Sequence, residues 1–169
     1  QEFEVALITN PRFDEYDFVK EILFQFGLET STGSKIDWLH AFNDFLFNNA
    51  RAGRKNVLVI DEAQLIINKL ILEEIRLLLN FQLDDRFLIT VILIGQPELL
   101  KTVRSMPQLD QRIGIRYHIE HLSFDDTRNF IVHRLRIAGR EEPIFAENAV
   151  RFIYEYSKGI PRKINNICD

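Results

Sequence analysis

Short apolar runs alternate with longer stretches of helical periodicity along most of the chain. Three apolar runs have strand length, and turn-forming or polar residues follow each of them: 3–9 (FEVALIT), 56–60 (NVLVI) and the first part of 87–99 (FLITVILIGQPEL). Between these runs, apolar side chains recur every three or four positions, which predicts helices over 12–27, 34–50 and 66–83. Strands that alternate with helices predict a parallel sheet covered by helices on both faces.

The pattern changes in the last third of the chain. Residues 113–122 (IGIRYHIEHL) alternate between apolar and polar side chains, which predicts a last strand. Helical periodicity then runs over 124–138 and 146–157 and starts again at Pro161. We therefore predict an α/β domain at 1–121 and a smaller, all-helical unit at 122–169.

Composition and charge narrow the class of protein. The 169 residues are 46% hydrophobic and include 14 phenylalanines, enough for a sizeable core. The net charge of −4 gives no overall indication of a nucleic-acid or membrane-surface partner. A single cysteine, Cys168, excludes an internal disulfide framework and indicates a reducing compartment such as the cytoplasm. No apolar run approaches the roughly 20 residues of a membrane-spanning helix.

Polar side chains stand at the ends of two predicted strands, where ligands bind in parallel α/β sheets. Asp61 and Glu62 directly follow VLVI, and Gln96 lies where the next strand ends. Of two adjacent carboxylates, one can hold Mg²⁺ and the other can orient and deprotonate an attacking water. An amide beside them can position that water or contact a phosphate oxygen. Two plainer interpretations stay open: the acids cap the following helix, and Pro97 simply begins another.

Arginines are concentrated in the second half of the chain. Arg112 and Arg116 lie before and within the predicted strand at 113–122, and arginine can neutralise charge that develops on a transferring phosphoryl group. For either residue alone, an ordinary surface ion pair is a simpler explanation. Six arginines stand against three acids between residues 112 and 140, which suits phosphate, DNA or an acidic partner. Arg162 lies in the first turn of the last predicted helix, where a cation opposes the helix macrodipole and so indicates an anionic partner.

Four segments, in this order and spacing, resemble one protein family: VLVIDEAQ (57–64), ILIGQPEL (92–99), QRIGIRYHI (111–119) and GIPRKINNICD (159–169). Together they look like an AAA+ ATPase of the ExeA/GspA type. Those ATPases serve secretion-system and pilus assembly and are related to the helper ATPases of transposition. The resemblance covers nearly the whole chain. It implies a P-loop NTPase-like, three-layer αβα parallel sheet that is followed by a small helical lid.

The resemblance also implies roles at the strand ends. Asp61 matches the metal-holding aspartate of the family's Walker B pair, and Glu62 matches its catalytic glutamate. Gln96 lies at the sensor 1 position, which helps to place the attacking water. ATP and Mg²⁺ are therefore the ligands that the resemblance implies for the full protein.

Three arginines acquire roles in the same way. Arg112 matches the arginine finger, which acts on ATP held by an adjacent subunit, and Arg116 is the second choice for that role. Arg162 matches sensor 2, which reaches from the lid to the γ-phosphate. A finger that acts on a neighbour implies a homo-oligomer.

The family's phosphate-binding loop, G-x-x-x-x-G-K-[ST], does not occur in the sequence. The nearest stretch is FGLETSTGSKID (26–37), but its glycines, Gly27 and Gly33, are six positions apart and the lysine does not directly follow the second one. That stretch also follows a predicted helix, so Gly27 is better explained as a helix stop and Ser34 as an N-cap. In the family's strand order, 5-1-4-3-2, the loop follows a central strand that comes before 3–9. We therefore expect the loop upstream of residue 1, and no tight ATP binding by residues 1–169 alone.

These implications define a principal hypothesis and two alternatives. In the first, the full protein is an ATP-hydrolysing homo-oligomer that powers or regulates assembly of a bacterial envelope machine, with secretion or pilus proteins as partners. It would be cytoplasmic, or tethered to the inner membrane by segments outside 1–169. The second is a transposition-type regulator that binds DNA, which the arginines of 112–140 support and the acidic net charge opposes. The third is a catalytically inactive scaffold domain.

Overall fold

The structure is a computed structural model that describes residues 2–30, 32–83 and 86–169. Its strands are β1 (Phe3–Ile8), β2 (Lys55–Ile60), β3 (Gln82–Leu83), β4 (Arg86–Phe87) and β5 (Ile89–Leu93). Its α-helices are α1 (Glu15–Gln25), α2 (Lys35–Arg51), α3 (Lys69–Leu78), α4 (Glu98–Arg104), α5 (Pro107–Asp110), α6 (Phe124–Ile137), α7 (Glu147–Ser157) and α8 (Pro161–Cys168). A 3-10 turn covers Ala63–Leu65. The chain separates into two compact units, of which the first ends at Ile115 and the second comprises Arg116–Asp169.

Three parallel strands form the sheet of the first unit, in the order β1-β2-β5. The pairing places apolar side chains of the three strands on a single face, and five of them are buried: Ala6, Ile8, Leu58, Ile60 and Ile89. Helices α1, α2 and α3 cover this face, and their buried side chains join it in one core. Because each buried Å² of apolar area contributes about 25 cal/mol, this core dominates the stability of the unit.

The opposite face of the sheet is open in the described part of the chain. Phe3, Val5 and Leu7 on β1 are 55%, 56% and 48% exposed, and Ile92 on β5 and Ile94 just after it are also exposed. Among the described strands, only β2 pairs with β5, so the far edge of β5 presents unpaired N–H and C=O groups. A contiguous apolar patch next to an unpaired edge is typical of a surface that binds another segment.

The connection between α1 and α2 forms as the sequence predicts. Helix α1 ends at Gln25 with Phe26 as its C-cap residue, and Gly27 follows with a left-handed φ of 77°. The Asp37 carboxylate accepts the Ser34 N–H at 2.7 Å, and the Ser34 hydroxyl accepts the Asp37 N–H, which makes a capping box. The bond from the Ser34 N–H, and after it a second bond that the Ser34 hydroxyl donates to the same carboxylate, hold the pKa of the Asp37 carboxyl below its usual value. The predicted helix stop at Gly27 and N-cap at Ser34 are confirmed.

Two buried asparagines tie α2 to the sheet. The Asn49 amide donates to Asn56 Oδ1 at 2.7 Å, and the Asn56 amide donates to the Leu88 carbonyl at 2.9 Å. Both side chains are 2% exposed. A buried amide that loses its partner costs about 1–3 kcal/mol, so the pair stabilises the single arrangement that satisfies it.

Some short elements of the first unit differ from the predicted pattern. The helix predicted over 66–83 is shorter in the structure, where α3 covers Lys69–Leu78. It begins at Lys69 because Asn68 is its N-cap residue, and the Asn68 side chain accepts the Leu70 N–H. The antiparallel pair of β3 and β4 and the four-residue helix α5 were not predicted. Elements of two to four residues are too short to produce a periodic pattern.

The strand predicted at 113–122 is wrong. No helix or strand is formed by residues 113–123, and Ile115, Tyr117 and Ile119 are between 81% and 89% exposed. Alternation describes a side-chain pattern, whereas a strand also needs a neighbour that pairs with its N–H and C=O groups. No described strand pairs with this segment.

The second unit contains α6, α7 and α8 around a small core of Ile131, Val150, Ile153 and Ile164. These helices match the predicted ones closely, and Ser123 caps α6 through the Asp126 N–H at 3.1 Å. Between α7 and α8 the chain turns through Lys158 and Gly159, both with left-handed φ. The Leu122 N–H donates to the Gly159 carbonyl at 3.0 Å, which fixes the entry of the unit against this turn.

Candidate functional site

The chain segment after β2 lies between the ends of the two neighbouring strands. The Asp61 N–H donates to the Ile8 carbonyl at 2.8 Å, and the Ala63 N–H donates to the Ile94 carbonyl at 2.9 Å. These bonds hold both acids, Asp61 and Glu62, at the carboxyl edge of the sheet, where ligands bind in this class of fold. The position predicted from the sequence for this pair is therefore the position that it occupies.

Glu62 has a left-handed backbone conformation, with φ of 52° and ψ of 34°. Among the described residues, Lys158 is the only other non-glycine residue with positive φ. This conformation costs a non-glycine residue about 1–2 kcal/mol, and such strain is concentrated at functional sites. The Asp61 carboxylate accepts the Glu62 N–H at 2.8 Å, which stabilises the sharp turn between them.

The acids do not cap the helix that follows them. Glu62 lies at the N-cap position of the 3-10 turn but makes no side-chain capping bond, and Asn68 caps α3 instead. The simpler of the two interpretations of Asp61 and Glu62 is therefore not supported. Neither carboxylate is used in a capping bond to α3 or to the 3-10 turn.

Gln64 connects Glu62 to the turn after β5. Its amide nitrogen donates to Glu62 Oε2 at 2.5 Å, and its amide oxygen accepts the Gln96 N–H at 3.0 Å. A Cβ atom on Gly95 would lie 2.5 Å from the Gln64 amide oxygen, so a glycine leaves the space that this bridge needs. The cluster thus brings together Asp61, Glu62, Gln64 and the Gly95-Gln96 turn, and sequence reasoning assigned no role to Gln64. The only sequence signal for it is its place in IDEAQ.

Arg112 lies just after α5 in the first unit and is exposed. Its guanidinium donates to the carbonyl of Leu79, the C-cap residue of α3, at 3.2 Å. A cation at a helix C-terminus is favoured by the macrodipole. In this chain Arg112 therefore supports α3, and this contact holds its side chain at the surface of the first unit.

The other two candidate arginines belong to the second unit. Arg116 is its first residue and is exposed. Arg162 is exposed in the first turn of α8, directly after Pro161 at the N-terminus of that helix. The predicted location of Arg162 at a helix N-terminus is confirmed, and its cation there opposes the macrodipole.

Metal-binding and nucleophilic groups are sparse. Within residues 2–30, 32–83 and 86–169, no group of three or more His, Cys, Asp or Glu side chains is arranged to hold a metal ion. Cys168 packs against the core of the second unit and lines a cavity of about 180 Å³ beside α6. Burial, and then the negative charge of Asp169, raise the pKa of the Cys168 thiol, which disfavours the reactive thiolate.

Comparison with known proteins identifies the family. Residues 1–103 match the family model described as "AAA domain", which is more than half of the chain. The chain belongs to the AAA domain family. The fold class predicted from the sequence, a P-loop NTPase-like α/β fold of the AAA+ type followed by helices, is confirmed.

The AAA domain also has a close relative and solved structures of similar fold. It is 40% identical over 172 residues to General secretion pathway protein A of Aeromonas hydrophila, across 99% of this chain. The chain spans 31% of the length of that relative. The predicted resemblance to proteins of the ExeA/GspA type is therefore confirmed.

Two solved structures show the same fold. The Aeropyrum pernix ORC2 protein in its ADP form aligns with a TM-score of 0.70 and 16% identity, over 96% of this chain and 46% of that one. The ADPNP-ADP complexes of the same protein align with a TM-score of 0.55 and 13% identity, over 89% and 52%. At these identities the likeness concerns the fold. None of the described helices of this AAA domain is both long enough and apolar enough to cross a membrane.

Proposed function

We propose that this AAA domain is part of a protein that hydrolyses ATP and powers or regulates assembly of a bacterial envelope secretion or pilus-type machine. The observation that carries the proposal is the placement of Asp61 and Glu62 at the carboxyl edge of the sheet. Glu62 has a strained, left-handed backbone there and makes no capping bond with its side chain. The identity to General secretion pathway protein A supports the choice of machine. The proposed location is the cytoplasm, or the cytoplasmic side of the inner membrane if other segments tether the protein.

The two acids divide the chemistry of hydrolysis in this proposal. Asp61 would hold Mg²⁺ beside the nucleotide, and the ion would offset phosphate charge when bound. Its donor set fits that ion, because Mg²⁺ takes one or two carboxylates and completes its shell with water and phosphate oxygens. Glu62 would orient a water and accept its proton as the water attacks the γ-phosphate. Gln96, at the neighbouring strand end, would help to place the same water.

The arginines would act from outside this cluster. Arg112, with Arg116 as second choice, would reach the nucleotide of an adjacent subunit, so the working form would be a homo-oligomer. In the described chain the Arg112 guanidinium donates to the uncharged Leu79 carbonyl at 3.2 Å, a contact that an oligomer could exchange for phosphate. Arg162 would contribute from the helical unit, which the family assigns as a lid.

The phosphate-binding loop would come from upstream residues of the full protein. The unpaired edge of β5 and the exposed apolar face of β1 suit a strand and a helix that pair and pack there. A P-loop joins such a strand to such a helix, and the helix N-terminus then meets the phosphates. In the parent gene, we expect G-x-x-x-x-G-K-[ST] within about 50 residues upstream of Gln1. An intact upstream sequence without this loop would contradict the catalytic proposal.

Turnover by the full-length protein tests the proposal directly. Purified protein should release phosphate from ATP in the presence of Mg²⁺, and Glu62→Gln should reduce kcat at least about 100-fold while nucleotide still binds. Glu62→Gln keeps the size of the side chain and removes the base. Wild-type protein that binds but never hydrolyses ATP would favour the inactive scaffold.

The DNA-binding alternative has one supporting observation, the arginine excess of 112–140. Arginines of this segment already have partners in the structure, since Arg112 donates to the Leu79 carbonyl at 3.2 Å and Arg128 pairs with Asp125 at 3.1 Å on α6. A salt series of DNA-binding measurements on the full-length protein distinguishes this alternative, because phosphate contacts make affinity fall steeply with salt. Salt-dependent binding without ATPase activity would favour it over the motor.

A further inference from the structure

Gln64 is the one member of the cluster at the strand ends that has no assigned role. Its amide orientation follows from its partners: a carboxylate only accepts, so Glu62 Oε2 requires the NH₂ group, and the Gln96 N–H requires the oxygen. Both ends of one side chain are therefore used. The two partners are 34 residues apart along the chain and belong to turns after different strands.

Few side chains can replace this amide. Bridging a carboxylate and a backbone N–H requires a donor and an acceptor on one planar group at the reach of glutamine. A glutamate retains the acceptor for the Gln96 N–H but places a second carboxylate against Glu62. A methionine retains the approximate volume and removes both bonds.

The left-handed backbone of Glu62 accompanies the contact between the Glu62 and Gln64 side chains, which are only two residues apart. With φ of 52°, the chain turns so that the side chains of Glu62 and Gln64 meet on the same side of the turn. Glu62 is exposed, so without this contact its flexible side chain would sample several rotamers. A hydrogen bond to a charged group is stronger than a neutral one and restricts that sampling.

We propose that Gln64 is a positioning residue that orients the Glu62 carboxylate for water activation and links it to the Gln96 turn. This inference rests on the proposed ATPase function. In this proposal Gln64 contacts neither the attacking water nor the phosphate, and its effect on catalysis is exerted through Glu62. Loss of the link allows the carboxylate to move, and displacements of about 1 Å at a reacting group can lower a rate about 100-fold.

The test compares Gln64→Met and Gln64→Glu with wild type and Glu62→Gln in the full-length protein. For each, kcat, KM and the affinity for a fluorescent ATP analogue are measured with Mg²⁺ present, together with the melting temperature. The matched control is Gln25→Met on α1. Gln25 donates to the Glu21 carboxylate at 2.8 Å, so the control removes the same kind of bond far from the strand ends.

The expected result is a fall in kcat of about 10- to 100-fold for both Gln64 variants, with KM, analogue affinity and melting temperature nearly unchanged. Gln64→Glu is the decisive variant, because it keeps the bond to the Gln96 N–H. If Gln64 merely held that turn, Gln64→Glu would retain wild-type kcat and Gln64→Met would not.

Three results would overturn the inference. They are wild-type kcat in Gln64→Met, wild-type kcat in Gln64→Glu, and a kcat above wild type in either variant, which would indicate that the bridge restrains Glu62 in an inactive position. Each of these leaves the proposed ATPase function intact, because wild type still turns over and Glu62→Gln does not. Absence of turnover in wild type would overturn the proposed function and this inference with it.

Discussion

Two turns of the molecule share an unusual backbone conformation and a glycine in a confined space, but they differ in the neighbour that fills that space. One joins β2 to the 3-10 turn and meets the turn after β5; the other joins α7 to α8. Each contains a non-glycine residue with positive φ, Glu62 in the first and Lys158 in the second. Each also depends on a glycine whose missing Cβ leaves room for a neighbour, Gly95 in the first and Gly159 in the second.

The neighbours differ in how far they can move. Beside Gly159 the space is taken by the backbone of Leu122, whose carbonyl oxygen lies where a Cβ atom would be. Beside Gly95 it is taken by the amide end of the Gln64 side chain, which can rotate away. The comparison suggests that the α7–α8 turn is shaped by the fold and the β2 turn by function.

The largest effect is expected from Gly159→Ala. The substitution combines a positive φ of 72° with a clash against backbone, so we expect a loss of about 2–5 kcal/mol in the stability of the second unit. Amide hydrogen exchange of α7 and α8 in the full-length protein measures it. Unchanged hydrogen-exchange protection of α7 and α8 would show that the Leu122 segment can move. It would contradict the view that the fold determines the shape of this turn.

Gly95→Ala is expected to affect turnover and not stability. The new Cβ displaces the Gln64 amide, so kcat should fall at least about tenfold, as for Gln64→Met. The melting temperature should change little, because Leu99 and the Gln64 backbone N need to shift by only a few tenths of an ångström from 3.2 Å. A loss of stability as large as that of Gly159→Ala would show that Gly95, like Gly159, is required by the fold.

Glu62→Gly is expected to separate stability from activity. Relief of the left-handed strain is partly offset by the extra freedom of glycine in the unfolded chain, which leaves a net gain of about 0.5–1 kcal/mol. Turnover should be lost, since the proposed base is removed. Denaturant titration beside an ATPase assay tests both, and a destabilised variant would show that Glu62 supports the fold.

Lys158→Gly completes the comparison with the smallest effect. Lys158 is the C-cap residue of α7 and has φ of 54°, so glycine should stabilise the second unit by about 0.5 kcal/mol. Hydrogen exchange of α7 detects this change. In contrast to Glu62→Gly, kcat should stay at the wild-type value, and a loss of activity would indicate that the α7–α8 turn also serves function.

Local signals in the sequence predicted much of this structure. The capping box at Ser34, the stop at Gly27 and the helices of the second unit depend on neighbouring residues, so a single sequence reveals them. Asp61 and Glu62 were found because they follow a strongly apolar strand. The strand at 113–122 failed because pairing depends on a partner that alternation does not reveal.

Contacts between segments that are distant along the chain could not be predicted from the pattern of apolar and polar residues. The bond from Arg112 to Leu79 spans 33 residues, and the bond from the Gln96 N–H to Gln64 spans 32. Neither follows from periodicity, and the bridge through Gln64 also requires the left-handed turn at Glu62. The roles proposed for the site residues therefore rest on geometry for Gln64 and on family resemblance for the arginines.

The buried asparagine pair has a consequence for the fidelity of folding. If β2 paired one residue out of step with β5, Lys55 or Val57 would replace Asn56 beneath α2, and neither side chain can serve both the Asn49 amide and the Leu88 carbonyl. Such a misaligned sheet would leave buried polar groups unsatisfied, at about 1–3 kcal/mol each. It would also carry Asp61 and Glu62 away from the end of β5. The Asn56 amide at the opposite end of β2, together with its partner Asn49 on α2, thus favours the strand alignment that brings the acids to the end of β5.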